Sequence, residues 1–217
     1  MKHKYIKVLK YSILFAAVVS LVFGGSIVLT KNSLPKQKTI ETNHAQTAIF
    51  SMGCFLSSEP VFINPNTNEK FPGILSIRVG HANGESEPKN IYRKSVKISF
   101  NPGIISYRQL LDIFWHNIDP FNEKGQFCNE GKEYTAAVLY STDIQKEEAL
   151  NSKKSAEALL NKKIITPILK IGDFHEAEEK YQNFFNKNPI RYAYYQWKCK
   201  REKPLKEIWG DISYMYQ

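Results

Sequence analysis

The sequence predicts an α+β fold, a two-layer α/β sandwich in which helices cover a mixed sheet. Three observations predict it. Strand-like and helix-like segments follow one another without the regular alternation of a doubly wound fold. The helical segment after Ser106 has its large apolar residues recurring on one face, as a helix lying on a sheet requires. And 217 residues with 42% hydrophobic, 24% charged and 13% aromatic side chains supply one packed domain plus accessory segments. That composition excludes a largely disordered chain, a collagen-like fibre and a multi-span membrane protein.

The first segments lie outside that domain. Residues 1–10 are basic: Lys2, Lys4, Lys7 and Lys10 carry four of the nine net positive charges. Residues 11–30 contain no charged side chain, and twenty helical residues at ~1.5 Å rise span about 30 Å, the thickness of a bilayer core. The expectation is a transmembrane anchor or a cleaved signal peptide. Basic residues stay cytoplasmic, which places the rest of the chain on the exported side, anchored or secreted. Residues 31–46 carry Pro35 and few large apolar residues and read as a linker. The folded domain is expected at 47–217. Acidic and basic residues are interspersed along it, without the basic stripe that nucleic-acid binding requires, so no nucleic-acid partner is expected.

Within the domain, residues 47–50 form a short strand running into Ser51-Met52-Gly53-Cys54, followed by a helix to about Ile63. Pro60 fits only a first helical turn, so regular helix is expected to begin nearer Ser57 or Ser58. Residues 73–80 and 95–100 alternate as strands. Ser106 is an N-cap for a helix in which Leu110, Leu111, Phe114 and Trp115 recur at helical spacing. Residues 136–140 form a strand, and Thr142 or Asp143 caps a long helix to about Leu160. A strand at 164–171 and a helix at 176–186 follow, and the tail from Pro189 reads as long and irregular.

The chemistry gathers on cysteine. Cys54, Cys128 and Cys199 are the three cysteines; none forms a C-x-x-C pair, and with His81, His116 and His175 they match no zinc spacing. No metal and no cofactor is expected. An odd thiol count on the exported side implies one disulfide with a spare thiol, or a cysteine that cycles between states. Cys54 lies between a strand end and a helix N-terminus, where free N–H groups stabilise a thiolate.

Met52-Gly53-Cys54-Phe55, with Glu59 and Phe62, resembles the GCFW-x-x-E-x-x-F signature of the A-type peptide-methionine (S)-S-oxide reductases. Collinear segments extend the likeness across 47–217. Residues 73–80 resemble the family's G-V-x-S-x-x-V-G-Y strand, and 99–111 its strand, turn and Y-x-x-L-L helix. Gln126-Phe127-Cys128-Asn129-Glu130-Gly131 with Tyr134 is similar to a branch reading QFCDRG followed by tyrosine. Ala177 to Gln182 is similar to A-E-x-Y-H-Q, and residues 188–199 with Trp209-Gly210 resemble that branch's C-terminal end. The resemblance implies a ferredoxin-like core and reduction of methionine-S-sulfoxide in oxidised proteins or peptides. In that chemistry Cys54 attacks the sulfoxide sulfur, is left as a sulfenic acid, and condenses with a second thiol to a disulfide that a thioredoxin-like donor reduces. Cys199 matches the resolving cysteine, with Cys128 as the alternative. Tyr134 is implied as an oxygen ligand and Phe55 as part of the methyl-binding site.

Four positions depart from the pattern. Leu56 replaces the tryptophan that would hold the methyl group, Lys94 stands at the family's acid, His81 at its first oxygen-binding tyrosine, and Asn129 at its loop aspartate. Lysine is a poor general acid near neutrality unless burial lowers its pKa from about 10.4. His81 titrating near neutral pH, or Glu59, Glu130 or Glu133, are the substitute donors. The same departures support a second reading, a catalytically impaired module that binds sulfoxide or a protein partner. A third is a thiol-disulfide or peroxide-handling protein using Cys54 with Cys199.

Overall fold

The computed structural model describes residues 45–64 and 67–210. The basic segment, the apolar run and the linker up to residue 44 lie outside them, and no helix among the described residues is long and apolar enough to cross a membrane.

The order of elements is β1 (Gln46–Ser51), α1 (Phe55–Ser58), a 3-10 turn (Pro60–Phe62), the short hairpin β2 (Ile63–Asn64) and β3 (Glu69–Lys70), then β4 (Ile74–Gly84) and β5 (Arg93–Phe100). α2 (Tyr107–His116), the two-residue strands β6 (Gly125–Gln126) and β7 (Asn129–Glu130), a 3-10 turn (Lys132–Tyr134), β8 (Ala137–Tyr140), α3 (Asp143–Leu160) and β9 (Ile168–Glu176) follow. A 3-10 turn (Glu179–Tyr181), α4 (Phe184–Lys187), α5 (Pro189–Cys199) and α6 (Glu202–Trp209) complete it.

Five strands close on one another in the order β1-β5-β4-β9-β8. All pairs are antiparallel except β8 with β9, which run parallel. That one parallel pair makes the sheet mixed, and it is joined by α3, the crossover a parallel connection requires. Closure leaves no bare edge among these strands.

Helices form where capping chemistry starts them. The Ser106 hydroxyl accepts the Gln109 N–H, and the Gln109 side chain returns to the Ser106 N–H at 2.9 Å, a complete capping box. Thr142 caps α3 in the same way through the Gln145 N–H. The inward face of α2 drops Leu110, Leu111, Phe114 and Trp115 into a core with Phe50, Phe62 and Phe100. The Phe50 and Phe114 rings stack at 5.1 Å, and each such buried side chain contributes about 1.5–3 kcal/mol. Trp115 Nε1 donates to Ser152 Oγ at 2.9 Å, which fixes α3 on α2.

Two expectations are corrected. Residues 176–186 do not form one continuous helix: β9 runs to Glu176, only the 3-10 turn and the start of α4 are helical, and between them the Gln182 amide binds the Val79 N–H at 2.8 Å and the Val79 and Ala177 carbonyls at 2.8 and 2.9 Å. A buried side-chain amide so placed pairs with β4 as another strand would. The tail from Pro189 is not irregular but builds α5 and α6. Pro189 opens α5 at N1, where its missing N–H costs nothing. α6 seats Leu205 and Trp209 in the core, with Trp209 Nε1 donating to the Ile118 carbonyl at 2.9 Å.

Candidate active site

Cys54 is half-buried at the mouth of a rigid turn. It caps α1, which begins at Phe55, earlier than Pro60 suggested; the proline instead starts a separate 3-10 turn. The Cys54 carbonyl accepts the Ser57 and Ser58 N–H groups at 3.0 and 3.1 Å and their hydroxyls at 3.0 and 2.9 Å. Four donors on one oxygen fix where the thiol-bearing residue sits. Gly53 reaches this turn at φ +90, and a Cβ there would lie 2.8 Å from Gln126 Cβ. Only glycine lets the Cys54 turn meet the β6–β7 hairpin this closely.

That hairpin carries Phe127 and Cys128 at its tip, with Phe127 held at φ 53. Gln126 pins its base, donating to the Asp119 carbonyl at 2.9 Å and accepting the Asp119 N–H at 2.8 Å. Cys128 is bonded to Cys199, the last residue of α5, and Cys54 is free. The two cysteines considered as partners for Cys54 are therefore joined to each other. α5 packs its Tyr192, Tyr195 and Cys199 side inward, at helical spacing. Asn129 Nδ2 lies 3.0 Å from Tyr195 Oη and 3.7 Å from Cys199 Sγ, and Tyr195 Oη is 3.4 Å from Ser57 Oγ. Burial pushes the Tyr195 hydroxyl above its ordinary pKa, and a charge on Cys54 adds to the rise. Tyr195 thus bridges the Cys54 turn to the disulfide. It was not singled out in the sequence, although the i, i+3, i+7 spacing of Tyr192, Tyr195 and Cys199 marks one face of a helix.

On the other flank of α1, strand register sets His81 opposite Lys94 across β4 and β5, and His81 also opposite His175 on β9. The buried Phe55 ring meets the His81 ring edge-on at 5.2 Å and Tyr181 at 5.9 Å, and Lys94 Nζ stands 5.7 Å from the Phe55 ring centre. Lys94 Nζ donates to Tyr134 Oη at 2.8 Å and pairs with Glu133 at 3.2 Å. Phe55, His81, Lys94 and Tyr134 therefore form one cluster. Leu56 is half-buried on the same short helix.

The electrostatics of that cluster correct the proton-donor expectations. Burial works against the charge on Lys94, but hydrogen bonds to Tyr134 and Glu133 outweigh it, and its pKa rises above the ordinary lysine value. Burial, then the Lys94 charge, lower the His81 pKa, so His81 is neutral near pH 7. Glu133 is held below the usual carboxylate range, first by its hydrogen bond with Tyr134. Glu130 is exposed. Burial does raise the Glu59 pKa, but its Oε1 accepts the Asn183 N–H at 2.9 Å, an engagement with the start of α4 rather than with the Lys94 cluster. One further pair shapes the cluster: Arg93 is buried against Glu87 through both guanidinium nitrogens and gives Nε to Thr135 Oγ1 at 2.9 Å. It ties the start of β5, where Lys94 lies, to the segment carrying Tyr134.

The family model for peptide methionine sulfoxide reductase matches residues 46–213. The peptide methionine sulfoxide reductase MsrA 2 of Rhizobium meliloti (strain 1021) is 35% identical over 176 residues, 78% of this chain and 86% of its own. MsrA of Bacillus velezensis is 36% identical over 177 residues, 76% and 97% of the two chains. Among solved structures, Mxr1 from Saccharomyces cerevisiae in reduced form is similar with a TM-score of 0.60 and 26% identity, over 70% of this chain and 92% of that one.

Proposed function

The chain belongs to the peptide methionine sulfoxide reductase family, and from that premise we propose that it reduces methionine-S-sulfoxide in proteins and peptides through a relay of its three thiols. The observation that carries the relay is the bond between Cys128 and Cys199 beside a free Cys54. Cys54 attacks the sulfoxide sulfur; the oxygen passes to Cys54, methionine leaves, and the cysteine becomes a sulfenic acid, oxidised by the two electrons the substrate has gained. Cys199 attacks that sulfenic sulfur, releasing water and forming a Cys54–Cys199 disulfide. Cys128 then attacks the Cys199 sulfur, and the electron pair of the broken bond returns to Cys54 as a thiolate. A dithiol protein of the thioredoxin type reduces the final disulfide.

Phe55, Leu56 and His81 supply the wall for the substrate methyl group, and Tyr134 binds the sulfoxide oxygen. With His81 neutral and Lys94 firmly protonated, Lys94 acts through its 2.8 Å bond to Tyr134 rather than as a facile acid. General acid–base assistance is worth about 10²–10⁴-fold, so this arrangement favours slow turnover. Asn129, an amide where a carboxylate is the family pattern, points a donor toward Cys199 Sγ. The apolar run 11–30 behind its basic flank supports a domain tethered on the exported face of a membrane, in contact with oxidised proteins there.

The test counts methionine. Fully reduced protein, freed of reductant and given excess S-sulfoxide of a blocked methionine, releases two methionines per chain, because the relay restores Cys54 for one more turnover. Cys128→Ser and Cys199→Ser release one, and Cys54→Ser releases none. A wild-type burst of one would remove the relay; equal use of the R-sulfoxide would remove the assigned substrate. A folded protein with alkylatable Cys54 and no burst would shift the reading to a sulfoxide-binding or partner-binding module.

A further inference from the structure

Arg201 stands two residues beyond Cys199. Lys200, at φ 46, ends α5 in a left-handed turn and swings Arg201 from a mostly exposed helix into the interior, where only 9% of it is exposed. Its Nη1 donates to the Ser57 carbonyl at 2.8 Å and its Nη2 to the Asn117 carbonyl at 2.8 Å. The guanidinium lies 4.8 Å from the centre of the Phe127 ring. Among the described residues no carboxylate pairs with it and its Nε has no hydrogen-bond partner. A buried cation left without a counter-ion costs several kcal/mol, whereas an aliphatic side chain would fill the same space without that cost.

Its contacts account for the expense. Ser57 belongs to the turn that Cys54 caps. Phe127 precedes Cys128 and holds a left-handed backbone, unfavourable for a bulky residue, at the hairpin tip. Arg201 itself follows Cys199. One side chain therefore touches the segments of all three thiols, with Asn117 at the end of α2 as the fixed point. Resting on the proposed relay, we propose that Arg201 is a positioning residue for disulfide exchange, a fork that holds the Cys54 turn, the Cys128 hairpin and the Cys199 helix end within reach of one another. Exchange needs three sulfurs nearly in line, and a misplacement of about 1 Å costs roughly 100-fold in such steps.

The two phases of a reductant-free burst in the full-length chain separate positioning from mere stability. In Arg201→Gln the first methionine is released within a few-fold of the wild-type rate, the second at least about tenfold more slowly, and the Cys54–Cys199 disulfide accumulates between the two phases. Arg201→Lys keeps the charge but cannot span two carbonyls, so it stays slow in the second phase. The same variants are oxidised with hydrogen peroxide, which forms the same sulfenic acid with water as by-product, and mass spectrometry follows the Cys128–Cys199 bond. That arm reports on exchange even if no methionine appears, a result that would count against the assigned reaction and not against Arg201. Equal loss in both phases, no loss in either, or full speed in Arg201→Lys overturns the proposal. Should Arg201→Gln fail to fold, Arg201→Lys alone decides.

Discussion

Replacing Lys94 by glutamate sets a second carboxylate beside Glu133, whose present partner at 3.2 Å is the Lys94 ammonium. Today that partner and Tyr134 hold Glu133 ionised, and Lys94 itself is held protonated. Two adjacent carboxylates repel, so one of them retains a proton to higher pH and becomes an acid within reach of Tyr134. The expected outcome is faster first-turnover methionine release from Lys94→Glu, with the gain growing as pH falls from 7.5 to about 5.5. Lys94→Met removes charge and donor together and slows release by about 10²-fold. Any inflection that His81 gives the wild-type rate lies below the ordinary histidine pKa of about 6.5, because burial and the Lys94 charge lower it. At this scale the turn carrying the free Cys54 was legible, since Gly53-Cys54-Phe55 is contiguous in the chain. Tyr195 and Arg201 were not: each meets its partners only after the chain has folded back across tens of residues. The Glu87–Arg93 pair was missed although its members are near in sequence, because it closes the connection between β4 and β5, where no helical or strand spacing marks it.

Among the elements, the turn before α1 depends on one glycine. In Gly53→Ala the new Cβ would press on Gln126 Cβ at 2.8 Å and the residue would keep a φ of +90. The strain costs about 1–3 kcal/mol, and relief comes only by parting the Cys54 turn from the β6–β7 hairpin. Chemical denaturation should show the stability loss. The second methionine of the burst should fall more than the first, since the parted segments are those exchanging disulfides. The same scale explains what could be read in advance. α2 and α3 were legible because Ser106 with Gln109, and Thr142 with Gln145, write their start signals locally, and their core faces recur at helical spacing. α5 was not, because its inward face is Tyr192, Tyr195 and Cys199 rather than an aliphatic stripe, and Pro189 reads as a breaker unless placed at N1. The segment after Glu176 was misread because its order comes from the Gln182 amide bonding to β4, a tertiary contact that leaves no periodicity in the sequence.

For the whole molecule, the Cys128–Cys199 bond closes a loop across a sequence separation of 71, and the fold's stability becomes a function of its redox state. Cross-linking over that separation removes unfolded-chain entropy worth roughly 4 kcal/mol in the simplest account. The native contacts of the tail do not depend on that bond: Leu205 and Trp209 stay in the core, and Trp209 and Arg201 keep their carbonyl partners. Reduction therefore lowers the melting temperature without unfolding the domain. For a domain of this size each kcal/mol is worth about 2–4 °C, so the fall is about 5–15 °C. Calorimetry of the wild type with and without dithiothreitol measures it, with Cys199→Ser, which should melt at one temperature in both conditions, as the control. The same melts should respond to acid. Desolvation raises the pKa of the partly buried Glu87 carboxyl, but its hydrogen bonds with Arg93 and the Gly84 N–H, together with the charges of Arg93 and Lys132, draw it below its ordinary value. A carboxylate depressed in the folded state contributes stability above its unfolded pKa and loses it as pH falls through the folded value. Glu87→Gln should accordingly destabilise the domain by about 1.5–3 kcal/mol at pH 7, and its difference from wild type should shrink below about pH 4. A difference that stayed constant down to pH 3 would show that the Arg93 contact acts through packing rather than charge.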